Sequence, residues 1–217
     1  MKKKPLIVLT GPTAAGKTKL SIRLAKKIGG EIISADSMQV YKGMDIGSAK
    51  IKTEEMEGIC HHLVDVLEPY EEFHVVRFQK MAKEALEKIY AKGHIPIVVG
   101  GTGFYIQALL YDIDFTENKG DDSCRQELLT FAREHGEEAL HEKLRQVDPV
   151  SAREIHFRKV KRVVRAREFY RQSGIPISVH NERERAKTSP YAFCYFVLND
   201  DREKLYERID RRVDEMM

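Results

Sequence analysis

The sequence has no apolar run of 18 residues, only three cysteines, no internal repeat and no low-complexity linker. Without a long apolar run, no segment is predicted to span a membrane, and the apolar stretch behind the basic N-terminus is too short for a signal peptide. The cysteines, Cys60, Cys124 and Cys194, are far apart and odd in number. They favour reduced thiols in a cytoplasmic protein over a disulfide framework.

The first half of the chain alternates short apolar runs with amphipathic segments. Residues 6–9, 31–34 and 95–99 have the pattern of buried strands, and the stretches 17–28 and 78–89 carry apolar stripes at helical spacing. Strand and helix in alternation predict an α/β fold, a P-loop NTPase-like parallel sheet covered by helices. Ligands of such a sheet gather at the carboxyl ends of its strands.

The second half changes character from about residue 115. Predicted helices dominate it until a strand at 191–198 and a last helix with Leu205, Ile209 and Val213 on one face. We therefore expect a core formed by residues 1–112 and 191–217, with residues 113–190 as a helical insertion. The helices expected in the insertion are 125–135, 137–146, a short helix opened by Asp148-Pro149, and 159–172.

A glycine-rich loop follows the first predicted strand and opens the first predicted helix. The P-loop pattern G-x-x-x-x-G-K-[ST] is matched by Gly11, Pro12, Thr13, Ala14, Ala15, Gly16, Lys17 and Thr18. Glycines let the backbone curl so that successive N–H groups face an anion, and the helix N-terminus adds positive potential. Lys17 can neutralise phosphate oxygens, and the Thr18 hydroxyl can ligate Mg²⁺.

Asp36 ends the second predicted strand, so it should lie near the phosphate site at the same edge of the sheet. By spacing alone it is equally a metal ligand, a general base or a cap for the following turn. A P-loop ATPase often carries an Asp after a further apolar strand. The strand at 95–99 runs into Gly100-Gly101-Thr102-Gly103 instead.

Positive charge is concentrated in the predicted insertion. Residues 151–187 have a local net charge of +7 within a chain whose net charge is +3. Such a block is usually a solvated helix face, and a polyanionic partner is the better interpretation only where a second feature agrees.

The chain resembles the tRNA dimethylallyltransferases, also called tRNA isopentenyltransferases. The resemblance spans essentially the whole chain. The matching motifs are GPTAAGKT (11–18), ISADSMQVYKGMDIGSAK (33–50), HHLVDV (61–66), VVGGTGFY (98–105), VDPVSAREIH (147–156), KRVVRA (161–166) and DREKLYERIDRRVDEM (201–216). The combination of the motifs at 11–18, 33–50 and 98–105 is highly specific.

The resemblance implies that the loop at 11–18 holds the diphosphate of dimethylallyl diphosphate, with Mg²⁺ as the cofactor. It implies that Asp36 is the general base for the exocyclic amine of adenine, and that Thr102 and Arg125 contribute to the reaction centre or to RNA contacts. We expect a monomer with tRNA as its partner. The segments that match tRNA contacts are Asp36, Ser37, Met38, Gln39, Lys161, Arg162, Val163, Val164 and Arg165.

Two departures from the family pattern stand out. Many relatives carry Pro and Asn where this chain has Phe157-Arg158-Lys159, and relatives usually continue for several more helices. Three other functions share some of these features: a P-loop nucleotide or small-molecule kinase, an enzyme that prenylates free adenine nucleotides, and a non-catalytic RNA-binding module. The basic insertion favours an RNA substrate over the first two, and the P-loop argues against the third.

Cys60, His61 and His62 are adjacent metal-ligating residue types. Adjacent side chains point in different directions, and no CxxC partner accompanies them, so the spacing does not predict a zinc site. The residue predicted to bind a metal ion is Thr18.

Overall fold

The computed structural model describes residues 3–115, 123–214 and 216. The chain divides into two compact units, Met1–Ile113 with Ser189–Met217, and Asp114–Thr188. The sequence placed these boundaries at 112/113 and 190/191. Within the described ranges, no helix is both long and apolar enough to cross a bilayer.

The first unit is built on a five-stranded sheet in which every strand pairing is parallel. Its spatial order is β3-β2-β4-β1-β5. The apolar runs predicted the four longer strands, and the two-residue β3 was not predicted. The strands are β1 (Lys4–Thr10), β2 (Gly30–Ser34), β3 (His61–His62), β4 (Ile95–Gly100) and β5 (Tyr191–Val197).

Nine α-helices, together with a 3₁₀ turn at Glu54–Met56, occur in the described part of the chain. Two of them, α3 and α8, were not predicted from the sequence. The helices are α1 (Lys17–Ile28), α2 (Val75–Ala91), α3 (Gly103–Leu110), α4 (Ser123–His135), α5 (Glu137–Val147), α6 (Pro149–Glu154), α7 (Val160–Ser173), α8 (Ile177–Arg185) and α9 (Arg202–Asp214).

Helices cover both faces of the sheet, because alternate strand residues point to opposite faces and both sets are apolar. On one face Ile33 and Val98 pack with Phe78 of α2 and Ile106 of α3. On the other face Ile32 and Ile97 pack with Ile22 and Ala25 of α1. The expected α/β fold class is confirmed.

The second unit has its own apolar core, supplied by α4, α5, α6 and α7. A buried Asp148 joins two of its shorter helices. Its Oδ1 accepts from the Ser151 N–H at 2.9 Å and the Ser178 hydroxyl at 2.6 Å, while Oδ2 accepts from the Ser151 hydroxyl at 2.7 Å and the Ser178 N–H at 3.0 Å. The buried core residues are Cys124, Leu128, Leu140, Leu144, Ala152, Val163, Val164 and Ala166.

Candidate functional site

The loop between β1 and α1 has the tightly curled backbone that its glycines allow. Gly11, Ala14 and Gly16 all have positive φ, at 148°, 62° and 83°. A side chain on Gly11 would also collide with the chain after β5, since an added Cβ would lie 2.3 Å from the Leu198 carbonyl oxygen. Ala14 is strained in this conformation by about 1–2 kcal/mol, and such strain is typical of ligand-binding backbone.

The N-terminus of α1 opens directly from this loop. Its cap residue is Gly16, which offers no side-chain hydrogen bond, and no acidic residue lies in the first turn. The first amides of a helix have no intrahelical acceptor, so those of α1 are available to an external anion. Thr18 is exposed in this first turn.

Lys17 bends back over the loop that precedes it. Its Nζ donates to the carbonyl oxygens of Gly11 at 2.8 Å and Pro12 at 2.7 Å. Burial, and next the Arg212 guanidinium, lower the pKa of Lys17 below its usual range, while the Asp36 carboxylate opposes this shift. The loop therefore carries a half-buried cation with a second cation and a carboxylate close by.

The carboxyl ends of β2 and β4 bring Asp36 to the same edge of the sheet. The Ala35 N–H donates to the Val99 carbonyl at 2.8 Å. Gly100 is what permits this approach, because a Cβ there would lie 2.3 Å from the Ala35 carbonyl oxygen. Asp36 Oδ1 accepts from the backbone N–H groups of Met38 at 2.8 Å and Gln39 at 3.3 Å. The carboxylate is thus fixed in a turn, with its Oδ2 outside these two hydrogen bonds.

A cavity of about 540 Å³ collects most of the predicted residues of this unit. Asp36, Met38 and Gln39 line it, together with every residue of the 11–18 loop except Pro12. Ser37 is half-buried in the same turn. Thr102 follows Gly101, which lines the cavity, and is the N-terminal cap residue of α3.

Sequence reasoning missed Arg212, which also lines the cavity. It lies on α9, about 190 residues after the loop it faces, and its Nη2 donates to the Ala49 carbonyl at 3.1 Å. The DREKLYERIDRRVDEM motif contained it, but nothing in that motif distinguishes Arg212 from its neighbour Arg211. Only the fold shows which of the two faces the phosphate loop.

The donor atoms around the cavity fit a magnesium ion. Mg²⁺ prefers hard oxygen ligands and usually keeps several waters when it is bound beside phosphates. The Thr18 hydroxyl supplies such an oxygen on the lining of the cavity. It would hold the ion through a single protein contact, with waters and phosphate oxygens as the other ligands, as is usual for this metal.

The remaining predicted residues lie in the second unit. Arg125 on α4 forms a two-point ion pair with the buried Glu168 of α7, at 3.0 and 3.1 Å. Lys161 and Arg162 are exposed at the start of α7, and Arg165 is half-buried.

Two details of α7 limit what its side chains can contact. Val163 and Val164 are 0% and 2% exposed in the core, so a ligand at this segment would meet the basic side chains beside them. Arg158 does not share a helical face with Arg162 and Arg165, since α7 begins at Val160 and Arg158 precedes it. Its guanidinium lies 5.7 Å from the centre of the Phe157 ring.

Comparison with known proteins gives two overlapping family matches. The family model described as "IPP transferase" matches residues 39–217, and the one described as "Isopentenyl transferase" matches residues 4–66. Together they cover both units.

Individual relatives agree with the family models. The tRNA dimethylallyltransferase of Lachnoclostridium phytofermentans is 62% identical over 213 residues, which are 98% of this chain and 68% of that protein. That of Geobacillus kaustophilus is 52% identical over 97% of this chain and 66% of its own length. The chain spans about two thirds of the length of these relatives.

Solved structures are also similar. The full-length tRNA isopentenylpyrophosphate transferase of Bacillus halodurans has a TM-score of 0.66 and 43% identity, covering 99% of this chain and 66% of that one. A eukaryotic dimethylallyltransferase acting on tRNA has a TM-score of 0.84 and 34% identity, covering 98% of this chain and 52% of that one.

The parallel sheet and the glycine-rich loop at its carboxyl edge define a P-loop NTPase-like transferase fold. Within that class, the chain belongs to the tRNA dimethylallyltransferase family of prenyltransferases.

Proposed function

We propose that this chain transfers the dimethylallyl group of dimethylallyl diphosphate to the N6 amine of the adenine 3′ to a tRNA anticodon, releasing diphosphate. One observation carries the proposal: the phosphate-type loop and the Asp36 carboxylate line a single cavity. Transfer needs an anion site for the leaving group and a base for the amine proton, and the loop and Asp36 would supply them.

The anion site would be the loop with its two cations. The diphosphate would lie against the α1 amides, with Lys17 and Arg212 beside it. As the allylic C–O bond breaks, negative charge develops on the leaving diphosphate, and fixed donors stabilise that charge without reorganising. Mg²⁺ held by Thr18 would add positive charge to the same leaving group.

The base would be Asp36. The adenine amine is a poor nucleophile because its lone pair is delocalised into the ring, and its proton becomes acidic only as the new C–N bond forms. A carboxylate within hydrogen-bond reach can accept that proton at this stage. Met38 and Gln39 hold Oδ1 through their N–H groups, which leaves Oδ2 to face the amine. The adenine must leave the base stack to reach it.

The tRNA would be held in part by the second unit. Lys161 and Arg162 supply exposed positive charge on α7, and the phosphate backbone is the main source of affinity in RNA binding. We propose that Arg125 acts by fixing α4 to α7 through Glu168, which orients the helix that carries these cations.

We also propose that the enzyme is a monomer and that it acts in the cytoplasm. Cys60, Cys124 and Cys194 are all free thiols, which suits a reducing compartment. Size-exclusion chromatography with light scattering would test the monomer.

The decisive experiment supplies labelled dimethylallyl diphosphate and Mg²⁺ with tRNA, AMP or no acceptor. We expect label in tRNA only, no requirement for ATP, and inhibition by inorganic diphosphate. Label in AMP would favour a nucleotide prenyltransferase. Hydrolysis of ATP, or phosphorylation of AMP, without prenylation of tRNA would favour a kinase.

A further inference from the structure

A second cluster of reactive side chains lies near the amino ends of β2, β3 and β4, and none of its members lines the cavity. Glu31 is at the start of β2, Cys60 directly precedes β3, His62 ends β3 and His94 directly precedes β4. These strands are neighbours in the sheet, in the order β3-β2-β4. None of these side chains has a role in the proposed transfer.

The pleat of β3 separates His61 from its two neighbours. His62 pairs with Ile33, and alternate residues of a strand share a face. Cys60 and His62 therefore point to the same side, toward Glu31. His61 points to the other side, where it lines the phosphate cavity and its Nδ1 lies 2.8 Å from the Ile59 carbonyl oxygen. Sequence reasoning treated the three as adjacent ligands and could not see Glu31 between the strands.

Three ligand atoms converge in this cluster. His62 Nε2 lies 2.7 Å from Glu31 Oε2 and 3.5 Å from Cys60 Sγ. All three atoms lie within 4.8 Å of one another. A proton on His62 Nε2 can form a good hydrogen bond to either Glu31 Oε2 or Cys60 Sγ. A metal ion in the position of that proton would instead bind Nε2, Oε2 and Sγ together.

The other oxygen of Glu31 has separate partners. Oε1 lies 2.7 Å from His94 Nδ1 and accepts from Lys92 Nζ at 2.9 Å. Burial would raise the pKa of Glu31, but hydrogen bonds from His62, Lys92, His94 and Cys60 lower it to about 2. The carboxylate is therefore ionised, and Oε2 is oriented toward the thiol and imidazole.

We propose that Glu31, Cys60 and His62 form a binding site for a zinc-class divalent metal ion, through Glu31 Oε2, Cys60 Sγ and His62 Nε2, with water as fourth ligand. Mixed thiolate, imidazole and carboxylate ligands are those that zinc takes, and three protein ligands with one water is a common zinc arrangement.

The distances suit this ion. At Zn–N and Zn–S bonds of about 2.05 and 2.3 Å, tetrahedral N and S ligands lie about 3.5 Å apart, and N and O ligands about 3.3 Å apart. The observed N···S distance of 3.5 Å fits without movement, and the N···O distance of 2.7 Å must widen. Cys60 is exposed, so the ion can enter from solvent.

Lys92 and His94 would become outer partners of the site. Lys92 Nζ lies 3.2 Å from Glu31 Oε2 and closer to Glu31 Oε1, and the Lys92 side chain is 51% exposed. It can therefore move away from Oε2 and retain its hydrogen bond to Oε1. Outer partners that hold the second carboxylate oxygen orient the first one toward the metal. Binding replaces the Cys60 thiol proton, which goes to solvent, and leaves the His62 ring proton on Nδ1.

Cobalt is the probe for this site, since Co²⁺ takes zinc ligands and a bound thiolate gives it a near-ultraviolet charge-transfer band. Chelator-treated protein, kept reduced with a phosphine, is titrated with Co²⁺. We expect one equivalent to produce the band and Zn²⁺ to abolish it. Cys60→Ser should lose the band and weaken binding by more than about tenfold, since even outer-partner changes typically cost 10–100-fold.

Two matched variants keep the test specific. Cys194→Ser removes another exposed thiol, and His61→Gln removes the neighbouring imidazole that faces away; both should retain the band. Circular dichroism verifies folding of each variant. No band in the native protein, a band that survives Cys60→Ser, or one that Cys194→Ser abolishes would overturn the proposal.

Discussion

Arg212 and Arg211 are adjacent on α9, but only Arg212 lines the phosphate cavity, and Arg211 is exposed. Arg212→Gln removes a cation from the leaving-group site, whereas Arg211→Gln removes equal charge from the surface. A charge-assisted hydrogen bond contributes about 1.5–3 kcal/mol, so we expect kcat/KM for dimethylallyl diphosphate to fall roughly 10–100-fold in the first variant. Steady-state kinetics at saturating tRNA would measure it. An equal effect of the two variants would contradict the assignment.

Asp36→Asn separates the charge of the carboxylate from its structural contacts. The Asn carbonyl can still accept from the N–H groups of Met38 and Gln39, so the turn should persist. A neutral amide cannot take the amine proton, and we expect kcat to fall about 10²-fold or more while the Kd for tRNA changes far less. Single-turnover kinetics and tRNA binding, measured on the same preparation, test this. A parallel loss of tRNA affinity would indicate that Asp36 anchors RNA.

Gly100 and Gly101 are neighbours with opposite tolerance for a side chain. An added Cβ on Gly100 would lie 2.3 Å from the Ala35 carbonyl oxygen, whereas one on Gly101 would meet nothing closer than 3.8 Å. The two nearest atoms at Gly100 are the carbonyl oxygen and carbon of Ala35, which are backbone. Overpacking should therefore cost about 1–3 kcal/mol in Gly100→Ala. Gly101→Ala should stay within about 0.5 kcal/mol of the native protein. Urea unfolding of both variants gives the comparison, and equal stabilities would refute the close-approach argument.

At the scale of the element, Asp148 caps α6 and also binds Ser178 at the start of α8. Asp148→Ala leaves the buried Ser151 N–H and the half-buried Ser178 N–H without these acceptors, and we expect a loss of about 2–4 kcal/mol in the second unit. Hydrogen–deuterium exchange of α6 and α8 would show it, with the exposed Asp210→Ala as control. Unchanged protection in Asp148→Ala would rule out the capping role.

The same carboxylate makes the second unit acid-sensitive. Burial alone would raise the pKa of Asp148, but hydrogen bonds from Ser151 and Ser178 outweigh it and lower the pKa below its usual range. Because the folded-state pKa is depressed, the stabilisation is fully present above the unfolded pKa of about 3.9 and is lost as pH falls through the folded value. Protection factors in α6 and α8, which relate exchange to the intrinsic rate at each pH, should therefore fall in acid in the native protein and lose that dependence in Asp148→Ala.

Most, but not all, of the strands and site residues of the first unit could be predicted from the sequence. Apolar runs predicted β1, β2 and β4, since burial on both faces of a parallel sheet requires such runs. An apolar run also predicted β5, although most of its side chains are exposed. The two-residue β3 was missed because its pairing depends on β2 rather than on its own residues. The parallel-sheet rule placed Asp36 beside the loop, but Arg212 could not be placed, because its position depends on how α9 packs after β5.

At the scale of the whole molecule, the two units are expected to divide the substrates between them. The cavity lies within the first unit, and the exposed cations at the start of α7 lie within the second. Because each unit has its own core, changes in surface charge on one should leave the other folded. Binding of diphosphate and binding of tRNA can be measured separately, so the proposed role of the basic residues in 151–187 in tRNA binding can be tested.

Lys161 and Arg162 are the pair for that test, since both are exposed and neither supports the core. A protein that neutralises phosphates releases counterions, so log K falls with log salt by about 0.7–0.9 per contact. Lys161→Gln/Arg162→Gln should weaken tRNA binding and reduce that slope by up to about one unit per lost contact. Lys80→Gln/Lys88→Gln, which removes equal charge from exposed positions on α2, should change neither. Inhibition by inorganic diphosphate should be the same in both variants, because its proposed site lies in the first unit. An unaltered salt slope in the α7 variant would mean that this face is merely solvated and that tRNA is held elsewhere.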